Sequence, residues 1–471
     1  MDLKKSKRLL LLAAAVYWLF AVGIFVIAGE QFRRADVTGD APEAQLVVGE
    51  LVDGMELRQT LESSLDVAEA LQIMVGTYNR ENTGTLILSV LDEKGSLLLQ
   101  QTVPARELEN DAFNTVTFDQ PLALGRGRQV TLTVTTAECT YGNAVTVYAG
   151  GGEIPQAQVN GAPFEGALCV RFTGYNELTF YRTYWLLTAA VFLAAVIYTL
   201  ICWRGLKRGR TNSLVSILTV YTRYGFLVRQ LVARDFKTKY KRSSLGMAWS
   251  IMNPMLTMAV QYVVFSTLFK SDIPNYLVYL LTGIVFFSFF NEAVTLGMTA
   301  ITGNAALIKK VYMPKVIYPF SRILSSCVNF LLALIPLFVV VIVTGTALRP
   351  SLFLLIFDVL CLLGFIVGMT LLLSTAMTFF QDTLFLWNVV GMLWQYLTPI
   401  FYPETIIPEA FRPLYRMNPL YQFISFARTC IIDGISPAPA AYFGCLLSAL
   451  AALLAGAAVF KRCQGKFVLY L

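Results

Sequence analysis

The chain has 471 residues, 56% of them hydrophobic and only 14% charged, with a formal net charge of +7 and a mean hydropathy of +0.61. That balance excludes a soluble globular enzyme and indicates an α-helical polytopic membrane protein. Histidine is absent, so the commonest metal ligand and general base is missing; no metal site and no catalytic residue are assigned.

Residues 1–29 read as a cytoplasmic tail and a membrane anchor. MDLKKSKR carries four positive charges and precedes Leu9 to Gly29, long enough to cross a hydrocarbon core of ~30 Å. Gln31-Phe32-Arg33-Arg34 is a poor small-residue cleavage site, which favours an uncleaved anchor over a signal peptide. Residues 30–182 read as an inserted all-β domain, a sandwich or jelly roll, and 21 of the 30 acidic residues lie between Glu30 and Glu177. Alternating runs at 85–91, 115–118, 129–135 and 144–148 are separated by turn signals at 93–95, 124–127 and 150–152. Tyr78, Tyr141, Tyr148 and Tyr175 are candidates for carbohydrate binding, although a strand tyrosine is more often simply packed. Only Cys139 and Cys169 of the eight cysteines share this domain, and the sequence leaves a disulfide between them undecided.

A second span at 183–204 ends on Arg204, Lys207, Arg208 and Arg210. Positive charge before the first span and after the second places both flanks in the cytoplasm and the β domain outside. Residues 205–245 follow as a linker and a basic interfacial helix over 214–243, in which Val228, Val232, Phe236 and Tyr240 recur every four residues. Arg234, Lys237, Lys239, Lys241 and Arg242 then fall within nine residues. The body, 246–471, holds six further spans near 246–269, 276–301, 319–344, 351–379, 384–402 and 439–460. Eight spans with both termini inside put 22 of the 37 Lys and Arg on the cytoplasmic side and only five on the outer loops beyond the β domain.

Three segments of the body carry functional signals. In 304–315, Asn304 is a candidate cap and Pro314 a stop for a short helix displaying Leu307, Ile308, Lys309, Lys310, Val311 and Tyr312, a mixed apolar and basic peg suited to a partner's groove. Trp387, Trp394, Tyr396, Phe401 and Tyr402 are placed either to line a sugar-conducting channel or to form an interfacial belt. From Pro403 to Gly434 the chain is apolar yet repeatedly broken by proline, which calls for short interfacial helices. Glu292, Arg322 and Asp358 are charges within spans, each costly at depth and so a functional candidate.

Residues 220–471 resemble the membrane subunit of ABC exporters for cell-surface polysaccharides of the O-antigen and teichoic acid type. The resemblance rests on Arg234-Asp235-Phe236-Lys237, Tyr240-Lys241, Leu245-Gly246, Trp249 and Pro254, and on 307–312 with Pro314. Further support comes from 396–403 and from Asn418-Pro419-Leu420 with Arg428 and Gly434. Where this chain has Gln381-Asp382, the family often has Arg before the Asp. The resemblance implies a homodimer in the cytoplasmic membrane of a bacterium, paired with two copies of a separate ABC ATPase that uses ATP and Mg, and moving a glycan carried on a polyprenyl pyrophosphate lipid. It implies that 304–315 is a coupling helix on the ATPase and that the basic helix flanks a lipid gate. The cations Arg234, Lys237, Lys239, Lys241 and Arg242 would there meet pyrophosphate or anionic membrane lipids. It implies outer gate helices over 403–434, including Pro403, Asn418, Pro419 and Arg428.

The chain has no GxxxxGK[ST] motif, so it is expected to bind no cofactor and to depend on a partner for ATP hydrolysis. No nucleic-acid partner is expected. Export of another substrate, a membrane glycosyltransferase and a surface glycan receptor are the alternatives.

Overall fold

The computed structural model describes residues 3–151, 156–207, 213–240, 246, 248–268, 275–310 and 313–471, which form two compact units. One unit is Phe32–Tyr181, two residues inside the expected 30–182 at its start; the other combines the first 31 residues with Arg182–Leu471.

Phe32–Tyr181 is a β-sandwich. One sheet runs in the order Arg34–Thr38, Val170–Glu177, Val67–Gly76, Thr146–Gly150, Ala167–Leu168, with Ala112–Ala123 also on Val67–Gly76. The other runs Ala162–Pro163, Gln158–Val159, Glu56–Glu62, Gln129–Ala137, Thr85–Leu91, Leu97–Pro104. Alternation drives the packing: in Thr85–Leu91 the buried residues are Leu86, Leu88 and Val90, and they meet Leu71, Ile73, Val116 and Val147 of the opposite sheet in a shared core. Val67–Gly76 pairs antiparallel with three strands, and a β-bulge at 68–70 breaks its alternation. Cys139 and Cys169 are separate buried thiols, so no disulfide links them. Burial pushes the Cys169 thiol up to about 11.

In the helical unit, α1 (Leu3–Ala28) and α2 (Phe180–Lys207) lie together. The Tyr17 hydroxyl donates to the Thr188 carbonyl at 2.8 Å and the Tyr184 hydroxyl to the Ala21 carbonyl at 2.7 Å. The expected second span thus begins several residues earlier than 183. The body continues with α3 (Ser213–Tyr240), α4 (Ala248–Leu268), α5 (Tyr276–Met298), α6 (Ala305–Lys310), α7 (Ile317–Val343), α8 (Leu355–Phe379) and α9 (Thr383–Leu397). After these come α10 (Arg412–Arg416), α11 (Pro419–Arg428), α12 (Pro439–Cys463) and α13 (Phe467–Tyr470).

Among the described residues six helical segments are long and apolar enough to cross a membrane: Leu10–Ala28, Phe180–Ile201, Tyr276–Met298, Ile317–Val343, Pro350–Phe379 and Pro439–Cys463. The two other expected spans correspond to α4, with Pro254 inside it, and to α9. At 15 residues, α9 is about 22 Å long at 1.5 Å per residue, short of the hydrocarbon core. Helix α5 is the hub, 72% of its apolar window lying inside the protein. Helices α8 and α12 approach backbone to backbone: a Cβ on Gly456 would lie 2.0 Å from the Gly368 carbonyl oxygen.

Candidate functional site

The basic stretch sits on α3, whose described apolar side chains Val228 and Leu231 pack on Ile317 of α7. The expected stripe was right at Val228 and Val232 but also recruits Leu231, because packing against a neighbouring helix uses both i+3 and i+4 neighbours. The side chains of Phe236 and Tyr240, together with Lys241 and Arg242, lie outside the described residues. Asp235 is almost wholly enclosed and holds two arginines, Arg234 at 3.0 Å and Arg322 of α7 at 3.2 Å. A buried carboxylate flanked by two guanidiniums is the arrangement that makes burial of charge tolerable. It assigns Arg322, a charge within a predicted span, a partner on α3.

One step along, Lys239 Nζ donates to Glu292 Oε1 of α5 at 2.7 Å, and Asn329 Nδ2 of α7 donates to the same oxygen at 2.7 Å. These residues line a cavity of about 220 Å³ that Trp249, Asn253 and Ser288 also face. Of the five expected gate cations, then, Arg234 and Lys239 are engaged by carboxylates, Lys237 is exposed, and the other two are outside the described residues. This corrects the expectation of a free basic comb: Arg234 is held by the adjacent Asp235, whose second partner Arg322 ties α3 to α7, and Lys239 ties α3 to α5. The cross-helix partners were hidden from sequence because Glu292 lies 53 residues from Lys239 and Arg322 lies 87 from Asp235, on other helices.

The coupling segment is a 3₁₀ turn, Thr302–Asn304, running into α6. Asn304 does not cap it; its Nδ2 donates backward to the Ala300 carbonyl at 2.7 Å. Ile308 is 8% exposed and packs with Ile301, Tyr318, Leu371, Phe460 and Phe467, so it is core and is not displayed. Leu307 is partly buried on the same cluster, whereas Lys309 and Lys310 are exposed. Val311 and Tyr312 lie outside the described residues, and Pro314 precedes α7. Sequence reading missed that α13 completes this corner: Lys315 Nζ donates to the Gln464 carbonyl at 2.5 Å and stands over the Phe467 ring. Leu469 and Tyr470 remain exposed there. The one available signal was the apolar Phe467-Val-Leu-Tyr-Leu471 after the last basic cluster.

The aromatic set divides. Trp387 is buried, its Nε1 donating to Thr295 Oγ1 at 3.1 Å, and Phe401 is buried with its ring stacked on Phe265 at 5.2 Å. Trp394 sits between Phe290 and Phe365 and donates to Asn418 Oδ1 at 2.8 Å. Trp387 and Phe401 are thus enclosed within the chain and do not present their faces to a channel, whereas Trp394 is half-buried. Tyr396 is exposed, and the half-buried Tyr402 donates to its carbonyl at 2.8 Å.

Beyond Pro403 the chain forms the expected short helices: a 3₁₀ turn at Glu404–Ile406, then α10 and α11. Asn418 caps α11, accepting from the Leu420 amide at 3.1 Å with Pro419 at the first helical position. Arg428, expected at an outer gate, is buried instead. It donates to the carbonyls of Pro399 at 2.7 Å, Ile400 at 3.1 Å and Tyr279 at 3.1 Å, with its guanidinium 3.3 Å from the centre of the Tyr279 ring. It satisfies backbone acceptors where α9 ends and is a structural pin for that chain reversal. Asp358, in the first turn of α8, is fully buried, with Cys445 Sγ 4.0 Å from Oδ1.

Residues 226–432 match the family model described as ABC-2 type transporter. The O-antigen export system permease protein RfbA of Klebsiella pneumoniae is 32% identical over 216 residues, covering 45% of this chain and 83% of that protein. Its namesake from Myxococcus xanthus is 29% identical over 218 residues, covering 45% and 82%. The matched region contains the α3 ion pairs, the α6 corner and the Arg428 pin, while the sandwich lies outside it; on these grounds the chain belongs to the ABC-2 type transporter family.

Proposed function

We propose that this chain is the transmembrane subunit of an ATP-driven exporter that moves a lipid-linked cell-surface polysaccharide across the cytoplasmic membrane of a bacterium. The observation that carries this reading is coverage of 83% of an O-antigen export permease by the membrane body at 32% identity. The chain acts as a non-enzymatic half-transporter: it forms a homodimer and pairs with two copies of an ABC ATPase that binds ATP and Mg. Eight segments cross the membrane, among them α4 and the 384–402 stretch in which α9 is extended by the residues that follow it, with both termini cytoplasmic and the sandwich outside. The charge bias of the loops supports that topology.

In this reading, the exposed Lys309 and Lys310 dock on the ATPase, while Ile308 transmits its movement into the α7, α8 and α12 core. The α3 cations and the cavity beside Glu292 meet the phosphate of the carrier lipid, which must compete with Asp235 and Glu292 for them. Tyr396 of α9 and Tyr402, five residues past its end, face the glycan.

Lys309→Glu combined with Lys310→Glu is expected to remove the ATPase from affinity-purified protein and abolish surface display of the glycan, while membrane insertion persists. Retained ATPase binding overturns the docking role. Normal glycan display in cells lacking the whole chain overturns the export reading.

A further inference from the structure

One end of the sandwich combines exposed tyrosines, backbone strain and a fixed polar frame. Tyr78 and Asn79 both have left-handed backbone, φ 57° and 54°, and the Arg80 amide donates to the Thr77 carbonyl at 3.2 Å, closing a tight turn across them. Left-handed backbone favours Gly, Asn or Asp, and a bulky tyrosine there is strained. Such strain persists only where the surroundings impose it, and it gathers at functional sites. Asp111 and Glu138, also left-handed, lie in loops at the same end.

The frame around this turn is well determined. Arg80 stands 4.7 Å over one face of the Tyr78 ring, leaving that residue 43% exposed, and its Nη2 donates to Glu50 Oε1 at 2.6 Å. Glu50 Oε2 accepts from the Gly142 amide at 2.8 Å, which fastens the adjacent turn carrying Tyr141, 81% exposed. The Arg80 guanidinium and that amide hold the Glu50 carboxyl below its usual range. Tyr148 donates to Asp111 Oδ1 at 2.5 Å and Asn110 Nδ2 to Asp111 Oδ2 at 2.7 Å.

We propose that Tyr78 and Tyr141, framed by Glu50, Arg80, Asp111 and Tyr148, form a binding site for a neutral sugar segment of the exported glycan. This rests on the export reading above and adds a ligand class to it. Tyrosine faces suit the apolar face of a pyranose, while carboxylates and hydroxyls with lone pairs left over suit its diols. Charge decides against a polyphosphate polymer: Phe32–Tyr181 carries 20 acidic and nine basic residues, a net of −11. A phosphate-rich chain is repelled by that field.

The test uses the full chain in lipid nanodiscs, titrated with lipid-free polysaccharide released by mild acid from cells that produce it, and separately with poly(glycerol phosphate). Tyr141→Ala and Tyr78→Gly are each expected to weaken polysaccharide binding about tenfold, as loss of an aromatic anchor does. Tyr78→Gly relaxes the left-handed turn, so its thermal stability holds while binding falls. Binding by both variants equal to that of the unmodified chain, no saturable binding by the unmodified chain, or a preference for poly(glycerol phosphate) overturns the site. Retained binding by the variants, when deletion of the chain abolishes glycan display, refutes the sugar site alone. Normal display without the chain refutes the export reading and the site's assignment with it.

Discussion

Asp235 shows how a single carboxylate organises one edge of the body. It draws Arg234 from its own helix and Arg322 from α7, and with the Lys239–Glu292 pair it makes α3 part of the bundle. Neutralising it in Asp235→Asn strands Arg322 and is expected to destabilise the fold by about 3 kcal/mol, the cost of breaking a largely buried pair. Adding Arg322→Met removes the orphaned charge and restores part of the loss. Denaturant unfolding in detergent micelles measures both, and a double variant no better than the single one refutes the pairing as the cause. Arg428 acts differently: its targets are carbonyls, so it maintains a chain reversal and carries no paired anion.

At the scale of elements, two close-packed corners hold the body together. The α8–α12 crossing depends on Gly368 and Gly456 because any Cβ at Gly456 would overlap the facing backbone. Gly456→Leu is therefore expected to cost about 3 kcal/mol or more, since the obstacle is backbone and has no rotamer to yield. Loss of the monodisperse peak in size-exclusion chromatography, with expression intact, is the readout; an unchanged elution profile and melting temperature contradict the close crossing. The second corner joins α6 to α13 through Ile308 and Phe467. A short helix tied into the core on one face and bearing two exposed lysines on the other suits transmission better than a free peg would.

For the whole molecule, the proposed topology makes a prediction on two faces. A cysteine at Tyr141→Cys is expected to react with a membrane-impermeant maleimide in intact spheroplasts, whereas Lys309→Cys reacts only after lysis. Burial leaves Cys139 and Cys169 as a low background, each thiol pushed above its usual range by desolvation. Labelling of Lys309→Cys in intact cells contradicts the orientation.

Composition and charge placement identified a polytopic helical protein with a separate acidic insert, because lipid and the positive-inside bias act on the chain locally and additively. Alternation located the strands at 85–91 and 129–135 for the same reason: one face of each is wet. Its silence over Val67–Gly76 has a physical cause, since a β-bulge at 68–70 breaks the alternation of that strand and its Ala, Glu and Leu also suit a helix. The coupling segment was found by its mixture of lysines and apolar residues, yet that mixture does not say which residues face inward. Ile308 reads the same whether it meets a partner or Phe460. The tertiary structure alone decided that, as it decided that Arg428 pins carbonyls, that Trp387 and Phe401 pack within the chain, and that two gate cations have carboxylate partners. Apart from the adjacent Arg234–Asp235 pair, the deciding neighbour is distant in sequence, and only folding brings it within bonding range.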